Sequence, residues 1–172
     1  MSNNRIVAEW FTLYSDSIYT FLVYRMSSMD VEDLVQEVFI RALNSYESFE
    51  GKANPKTWLY SIARNLAVDE QRKRRKQKLS SNPLSPQILE AASLETPESQ
   101  LFVVEETKEL LGHIHKLKPN YRDVLILKGM NEFDVKETAA ILGWSENKVR
   151  ITFHRACKKL QTIMGGYRDE ES

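Results

Sequence analysis

At 172 residues the chain is long enough for one ordinary domain or two small ones. A hydrophobic content of 42% and a charged content of 28% are globular values and exclude wholesale disorder. Lys plus Arg equals Asp plus Glu at 24 each, which excludes a simple DNA-coating protein. The charge is nonetheless unevenly spread. Cations cluster in 72–78 and again in 148–159, where Lys148, Arg150, Arg155, Lys158 and Lys159 meet no acid, so a neutral chain carries two basic patches.

The single Cys157 cannot close an internal disulfide, and no Cys/His set has zinc-ligand spacing. His113 and His115 fall on different sides of a helix and read as surface residues. The first thirty residues include Glu9 and Asp16 and no unbroken apolar run, so neither a signal peptide nor a membrane span is expected, and the expected location is the cytoplasm.

In chain order, Val7, Trp10, Phe11, Tyr14, Ile18, Phe21, Leu22 and Arg25 recur at intervals of three and four, which predicts a long first helix whose aromatic stripe is core. Asp30 is the expected N-cap of a second helix, with Asp33 favourably placed near the positive end of its dipole. Val31, Leu34, Val35, Val38, Phe39, Ala42 and Leu43 keep helical period without a break, leaving Asp33, Gln36, Glu37 and Arg41 on the other face. The stretch NSYESFEGKANPKT at 44–57 then reads as a loop broken by Gly51, Asn54 and Pro55, with Tyr46 and Phe49 in or beside it and Trp58 opening the next helix. Rings here either anchor the loop or form a pocket that stacks an unpaired base.

Over 58–78 the apolar residues Leu59, Ile62, Ala63, Leu66 and Ala67 form one buried stripe, and Tyr60, Ser61, Arg64 and Asn65 are read as the opposite face. Gln71 to Lys78 then holds six cations in eight residues and no acid. A helix packed on one side, polar and aromatic on the other and cationic at its end suits a nucleic-acid strand; a solvated surface helix with a basic tail is the plainer alternative. Residues 80–95, with two prolines and four serines, read as a linker, partly helical around Gln87 to Ala92. Thr96-Pro97-Glu98 reads as a helix start, continued by Val104, Leu110, Leu111, Ile114 and Leu117, and Pro119 opens a short helix holding Val124, Leu125 and Leu127.

Asp134-Val-Lys-Glu137 fits a capping box, Gly143-Trp144 a turn, and Ser145 a cap with Glu146 in the first turn behind it. Val149, Phe153, Ala156 and Leu160 are then expected to face inward, and Asn147, Lys148, Arg150, Ile151 and His154 outward. Two short-linked helices with a polar, basic outer face make a helix-turn-helix. The fold class expected is all-α: two small helical domains at 1–79 and 96–172, joined by a flexible linker at 80–95, the second containing the helix-turn-helix.

EDLVQEVFIRAL at 32–43, SFEGKANPKTWLYSIARN at 48–65 and the segment 121–160 together resemble a bacterial sigma factor of the extracytoplasmic-function (ECF) group. The resemblance covers nearly all of 1–79 and 96–164. It implies a first domain that binds the clamp of core RNA polymerase and melts and reads the −10 promoter element, and a second that sits at the polymerase flap and reads the −35 element. The partners it implies are the β and β′ subunits, promoter DNA and an anti-sigma factor, with no cofactor, no metal, no enzymatic activity and no direct membrane insertion.

By position, the resemblance puts Asp33, Gln36 and Glu37 against the clamp. Phe49, Gly51, Lys52, Ala53 and Asn54 fall in the loop that captures a flipped −10 base, with Trp58 behind it and Asn65 and Arg41 beside the strand. Arg64 and the run containing Arg72, Arg74 and Arg75 would hold phosphates. Lys148, Arg150, His154 and Arg155 would enter or border the major groove. The family commonly has a small polar residue and then arginine where this chain has Ile151-Thr152, so base choice shifts towards Asn147, Lys148 and Arg150. The competing class is a stand-alone helix-turn-helix regulator with an N-terminal sensing or dimerising domain; an enzyme would need a nucleophile–base pair, phosphate loop or metal set that the sequence does not offer.

Overall fold

The computed structural model describes residues 2–49, 51, 54–80 and 105–168, in two compact units. All regular structure among the described residues is helical. The expected linker at 80–95, the helix start at Thr96-Pro97-Glu98, Val104, and the loop residues Lys52 and Ala53 lie essentially outside the described residues, only the backbone of Ser80 falling within them.

The first unit is a three-helix assembly with a short helical insert. Helix α1 spans Asn3–Met26, α2 Glu32–Asn44, α3 Tyr46–Phe49 and α4 Pro55–Ser80. The three long helices each pack on the other two. Ile18, Phe21 and Leu22 of α1, Val38 and Ala42 of α2, and Leu59, Ala63 and Ala67 of α4 are completely buried. Each of the larger side chains among them contributes about 1.5–3 kcal/mol by leaving water.

Several local expectations give way to longer-range packing. The cap of α2 is Val31, with no side-chain cap bond, rather than Asp30. Val31 is completely buried, so its packing fixes how the chain enters the helix, and the Asp30 amide is instead held by the Ser28 hydroxyl at 3.1 Å. Residues 44–57 are less loop-like than expected, since Tyr46–Phe49 makes a helical turn and α4 begins at Pro55, three residues before Trp58. Tyr60 belongs to the core rather than the polar face. It is 1% exposed, packs on Phe21 at 5.1 Å between ring centroids, and donates its hydroxyl hydrogen to the Ser17 carbonyl at 3.1 Å. A tyrosine can be this deeply buried because its one polar atom reaches a partner.

Arg25 is also buried, at 1% exposure. Its Nη1 donates to Gln71 Oε1 at 2.7 Å, and the Gln71 amide donates back to the Arg25 carbonyl at 3.4 Å. The end of α1 is thereby tied to α4 at the residue that opens the basic run.

In the second unit α5 spans Glu105–Ile114, α6 Pro119–Val124, α7 Val135–Leu142 and α8 Glu146–Arg168. Between α6 and α7 the chain widens into a π-helical stretch, Leu125–Met130, closed by the Asn131 amide donating to the Ile126 carbonyl at 2.8 Å. Five consecutive residues here, Asp123 to Leu127, are buried, more than the one-sided stripe of a surface helix covers. Helix α8 packs against α5, α6, the π stretch and α7, with Val149 and Ala156 completely buried at its centre.

Candidate functional site

In the first unit the loop after α2 is organised by rings. Trp10 of α1, 8% exposed, lies 5.6 Å from Tyr46, 5.3 Å from Phe49 and 6.0 Å from Trp58 between ring centroids. Phe49 and Trp58 meet at 5.0 Å. Phe49, Tyr46 and Trp58 remain half-exposed, so the rings anchor the loop and still offer faces to a ligand. The anchoring reading of these rings is met by this packing. Gly51 takes φ +69°, a backbone conformation that residues other than glycine rarely adopt.

Asn54 has a structural duty that spacing alone does not reveal. Its Oδ1 accepts from the Lys56 amide at 2.9 Å and its carbonyl from the Trp58 amide at 3.1 Å, so it caps α4. Asn65 is exposed one helical turn past Ser61, and its Oδ1 accepts from Arg64 Nη1 at 3.4 Å. Beyond them Arg72 and Arg75 are exposed, whereas Arg74 Nε is held by Glu70 at 3.2 Å.

On α2, Asp33 and Gln36 are exposed, and Glu37 is drawn to Arg41 at 3.3 Å. Ile40, 51% exposed, stands one turn beyond Gln36, with Leu43 also open at 37%. These two apolar side chains are missed by sequence reasoning, which takes Leu43 as core. The signal available is that Ile40 falls outside the buried stripe Val35, Val38, Phe39 and Ala42.

In the second unit the helix-turn-helix forms as its sequence dictates. Asp134 Oδ1 accepts from the Glu137 amide at 2.7 Å, and Glu137 Oε1 accepts from the Asp134 amide at 3.1 Å, completing the capping box. Gly143, at φ +70°, ends α7 in the left-handed conformation, with the Trp144 amide donating to the Ala139 carbonyl at 3.0 Å. Ser145 Oγ accepts from the Lys148 amide at 3.1 Å and so starts α8.

That geometry exposes Asn147, Lys148, Arg150, Ile151, His154 and Arg155 on α8, and Ile151 is 42% exposed. Asn147, Lys148, Ile151, Thr152 and Arg155 line an open groove of about 690 Å³ whose far wall is Lys118 to Tyr121 at the start of α6. That wall is the second feature sequence reasoning misses; Pro119 marks the helix start without indicating which surface it faces. Arg150 is not on the groove. Its guanidinium is 3.6 Å from Glu146, one turn earlier. Cys157 is half-buried on α8, and burial pushes its thiol above the ordinary cysteine value, partly offset by the Lys128 ammonium.

Among the described residues no group of His, Cys, Asp and Glu could hold a metal ion, and no helix is long and apolar enough to cross a membrane. What the two units present is a ring-anchored loop beside a polar and basic helix, and a capped helix-turn-helix with a cationic groove.

The Sigma-70 region 2 family model matches residues 10–77, and the Sigma-70 region 4 model matches residues 108–160. The chain is 37% identical over 161 residues to the ECF RNA polymerase sigma factor SigX of Bacillus subtilis, covering 91% of this chain and 82% of that protein. It is 31% identical over 172 residues to the RNA polymerase sigma factor YlaC of the same organism, covering 99% of each. Among solved structures it is similar to the sigma factor RpoE of Bartonella quintana, determined in complex with the anti-sigma factor NepR, with a TM-score of 0.75 and 25% identity over 92% of this chain and 96% of that one. A region 2 match upstream of the helix-turn-helix disfavours a stand-alone regulator. The chain belongs to the ECF sigma factors of bacterial RNA polymerase.

Proposed function

We propose that this sigma factor divides its work between residues 1–79 and 96–172, with 80–95 as the connecting linker, in the following way. Asp33, Gln36 and Glu37 bind core polymerase, with Ile40 adding an apolar contact on the same helix. Phe49, Gly51, Lys52, Ala53 and Asn54, backed by Trp58, receive a −10 base, while Arg41 and Asn65 flank the strand and Arg64, Arg72, Arg74 and Arg75 hold phosphates. In the second unit Asn147, Lys148, Arg150, Ile151, His154 and Arg155 address the −35 element. The chain does this in the cytoplasm, without enzymatic chemistry of its own, and is held in check by an anti-sigma factor.

The observation carrying this reading is the ring cluster of Trp10, Tyr46, Phe49 and Trp58, whose half-exposed rings stand at the start of the helix that carries exposed Asn65 further along and ends in the basic run. Opening a base pair costs a few kcal/mol, and stacking on a ring returns about 1–3 kcal/mol. A chain of zero net charge binds duplex weakly by itself. Fixing both units on polymerase raises the effective concentration of each for its element.

The test is transcription from purified components. Core polymerase plus this chain is expected to initiate from promoters that core alone does not open, and the Asp33→Arg variant to lose core binding with helical content intact. Initiation by the variant at wild-type level would remove Asp33 from the polymerase contact.

A further inference from the structure

Lys148 is the one groove-lining cation of α8 that also stands over an aromatic ring, its Nζ 4.3 Å from the centroid of Trp144. Trp144 is half-buried at the turn, and its backbone amide donates to the Ala139 carbonyl at 3.0 Å, which fixes the main chain from which the ring projects. Lys148 sits in the first turn of α8, where its own amide is occupied by Ser145 at 3.1 Å. A cation there is repelled by the positive end of the helix dipole, and a lysine stem has four rotatable bonds to lose on binding. The ring face opposes both effects by holding the ammonium at one edge of the groove before DNA arrives.

We infer that Trp144 is a positioning residue for Lys148, fixing its ammonium to address the acceptor edge of a guanine in the major groove. The inference deepens the −35 reading above and rests on it. The N-terminal residues of the second helix of a helix-turn-helix approach base edges, and lysine pairs with the O6 and N7 acceptors of guanine. A phosphate contact would need less orientation, because a point charge is satisfied over a wide range of geometries.

The test uses the full chain on core polymerase and a panel of promoters with single substitutions in the −35 element. Binding is compared for the parent chain, Lys148→Ala, Trp144→Leu, Trp144→Phe and the Trp144→Leu/Lys148→Ala double variant. Trp144→Leu is expected to weaken the preferred promoter roughly two- to fivefold, the value of an exposed cation–ring contact, while barely changing promoters that lack the guanine. Trp144→Phe, which keeps a ring, is expected to restore the preference. In the Lys148→Ala background Trp144→Leu should have no further effect. Trp144→Met serves in place of Trp144→Leu if the leucine variant does not fold. Additive losses in the double variant, with Lys148→Ala altering base preference, would overturn the inference and leave the −35 reading standing. A Lys148→Ala variant with unchanged preference for every promoter would overturn the inference and remove Lys148 from the −35 contact.

Discussion

Arg41 Nε donates to Glu37 Oε1 at 3.3 Å across one turn of α2, joining a residue proposed to bind polymerase to one proposed to border the −10 strand. Their side chains are 49% and 43% exposed, so the pair adds little to stability, about 0.3–0.5 kcal/mol for a contact of this kind. Its importance is in which partner each group is free to meet.

Glu37→Gln keeps the shape of the side chain and releases Arg41. Core binding is expected to fall, with helical content unchanged and stability within about 0.5 kcal/mol of the parent. Arg41→Ala should instead leave core binding near normal and lower promoter opening. Core affinity and strand opening measured on both variants check this; one shared defect would mean that the pair acts as a single contact.

Asn65→Ala and the double change Arg72→Ala/Arg75→Ala should fail differently. Asn65 lies about two turns along α4 from Trp58, and its loss is expected to reduce permanganate reactivity of unpaired −10 thymines with promoter binding nearly intact. The arginine changes should weaken binding and reduce its salt dependence by about one unit per lost phosphate contact. A promoter supplied already melted over the −10 element should rescue Asn65→Ala only. Asn54 is less clean, because Asn54→Ala also removes the cap of α4 at about 1 kcal/mol; Asn54→Ser keeps a capping oxygen and separates the two effects.

The helix-turn-helix should be sensitive at its caps. Asp134→Ala removes one half of the capping box and is expected to destabilise the fold by about 1 kcal/mol. Gly143→Ala meets no atom within 4 Å but must adopt φ +70°, so its cost, about 1 kcal/mol, is one of backbone conformation alone. Gly143→Asn should lose less, since asparagine tolerates that region. Denaturant titrations of the full chain followed by circular dichroism check all three.

Cys157 should be slow to alkylate at neutral pH. Burial favours the protonated thiol, so the reactive thiolate is scarce below the folded pKa and accumulates only as pH rises through it. Lys128→Met removes the cation that partly offsets burial and is expected to move the alkylation profile further towards high pH. Because the folded pKa is raised, the same group favours the folded state below its ordinary pKa and ceases to do so as pH climbs through the raised value.

What was legible in the sequence was what is decided within a few residues. Asp134, Glu137, Gly143 and Ser145 act on neighbours three or four positions away, and their pattern specifies the turn directly. What was not legible depends on residues far apart in the chain. Tyr60 reads as surface by period, and only the Ser17 carbonyl, 43 positions earlier, permits its burial. Asp30 is a good cap by type, but packing of Val31 starts the helix one residue later. The exposed outer face of α8 follows from helical period, whereas the wall at Lys118 to Tyr121 follows from tertiary packing.

The ring cluster also makes the protein its own optical reporter. Of three tryptophans, Trp10 and Trp58 stand 6.0 Å apart around the loop, and Trp144 lies in the other unit beneath Lys148. With Trp144 changed to phenylalanine, all remaining indole emission of this chain comes from Trp10 of α1 and Trp58 of α4, the two that flank the loop proposed to take the melted base. Stacking of a nucleobase against that cluster would quench it, so strand capture can be timed in a stopped-flow instrument without attaching a dye to protein or promoter.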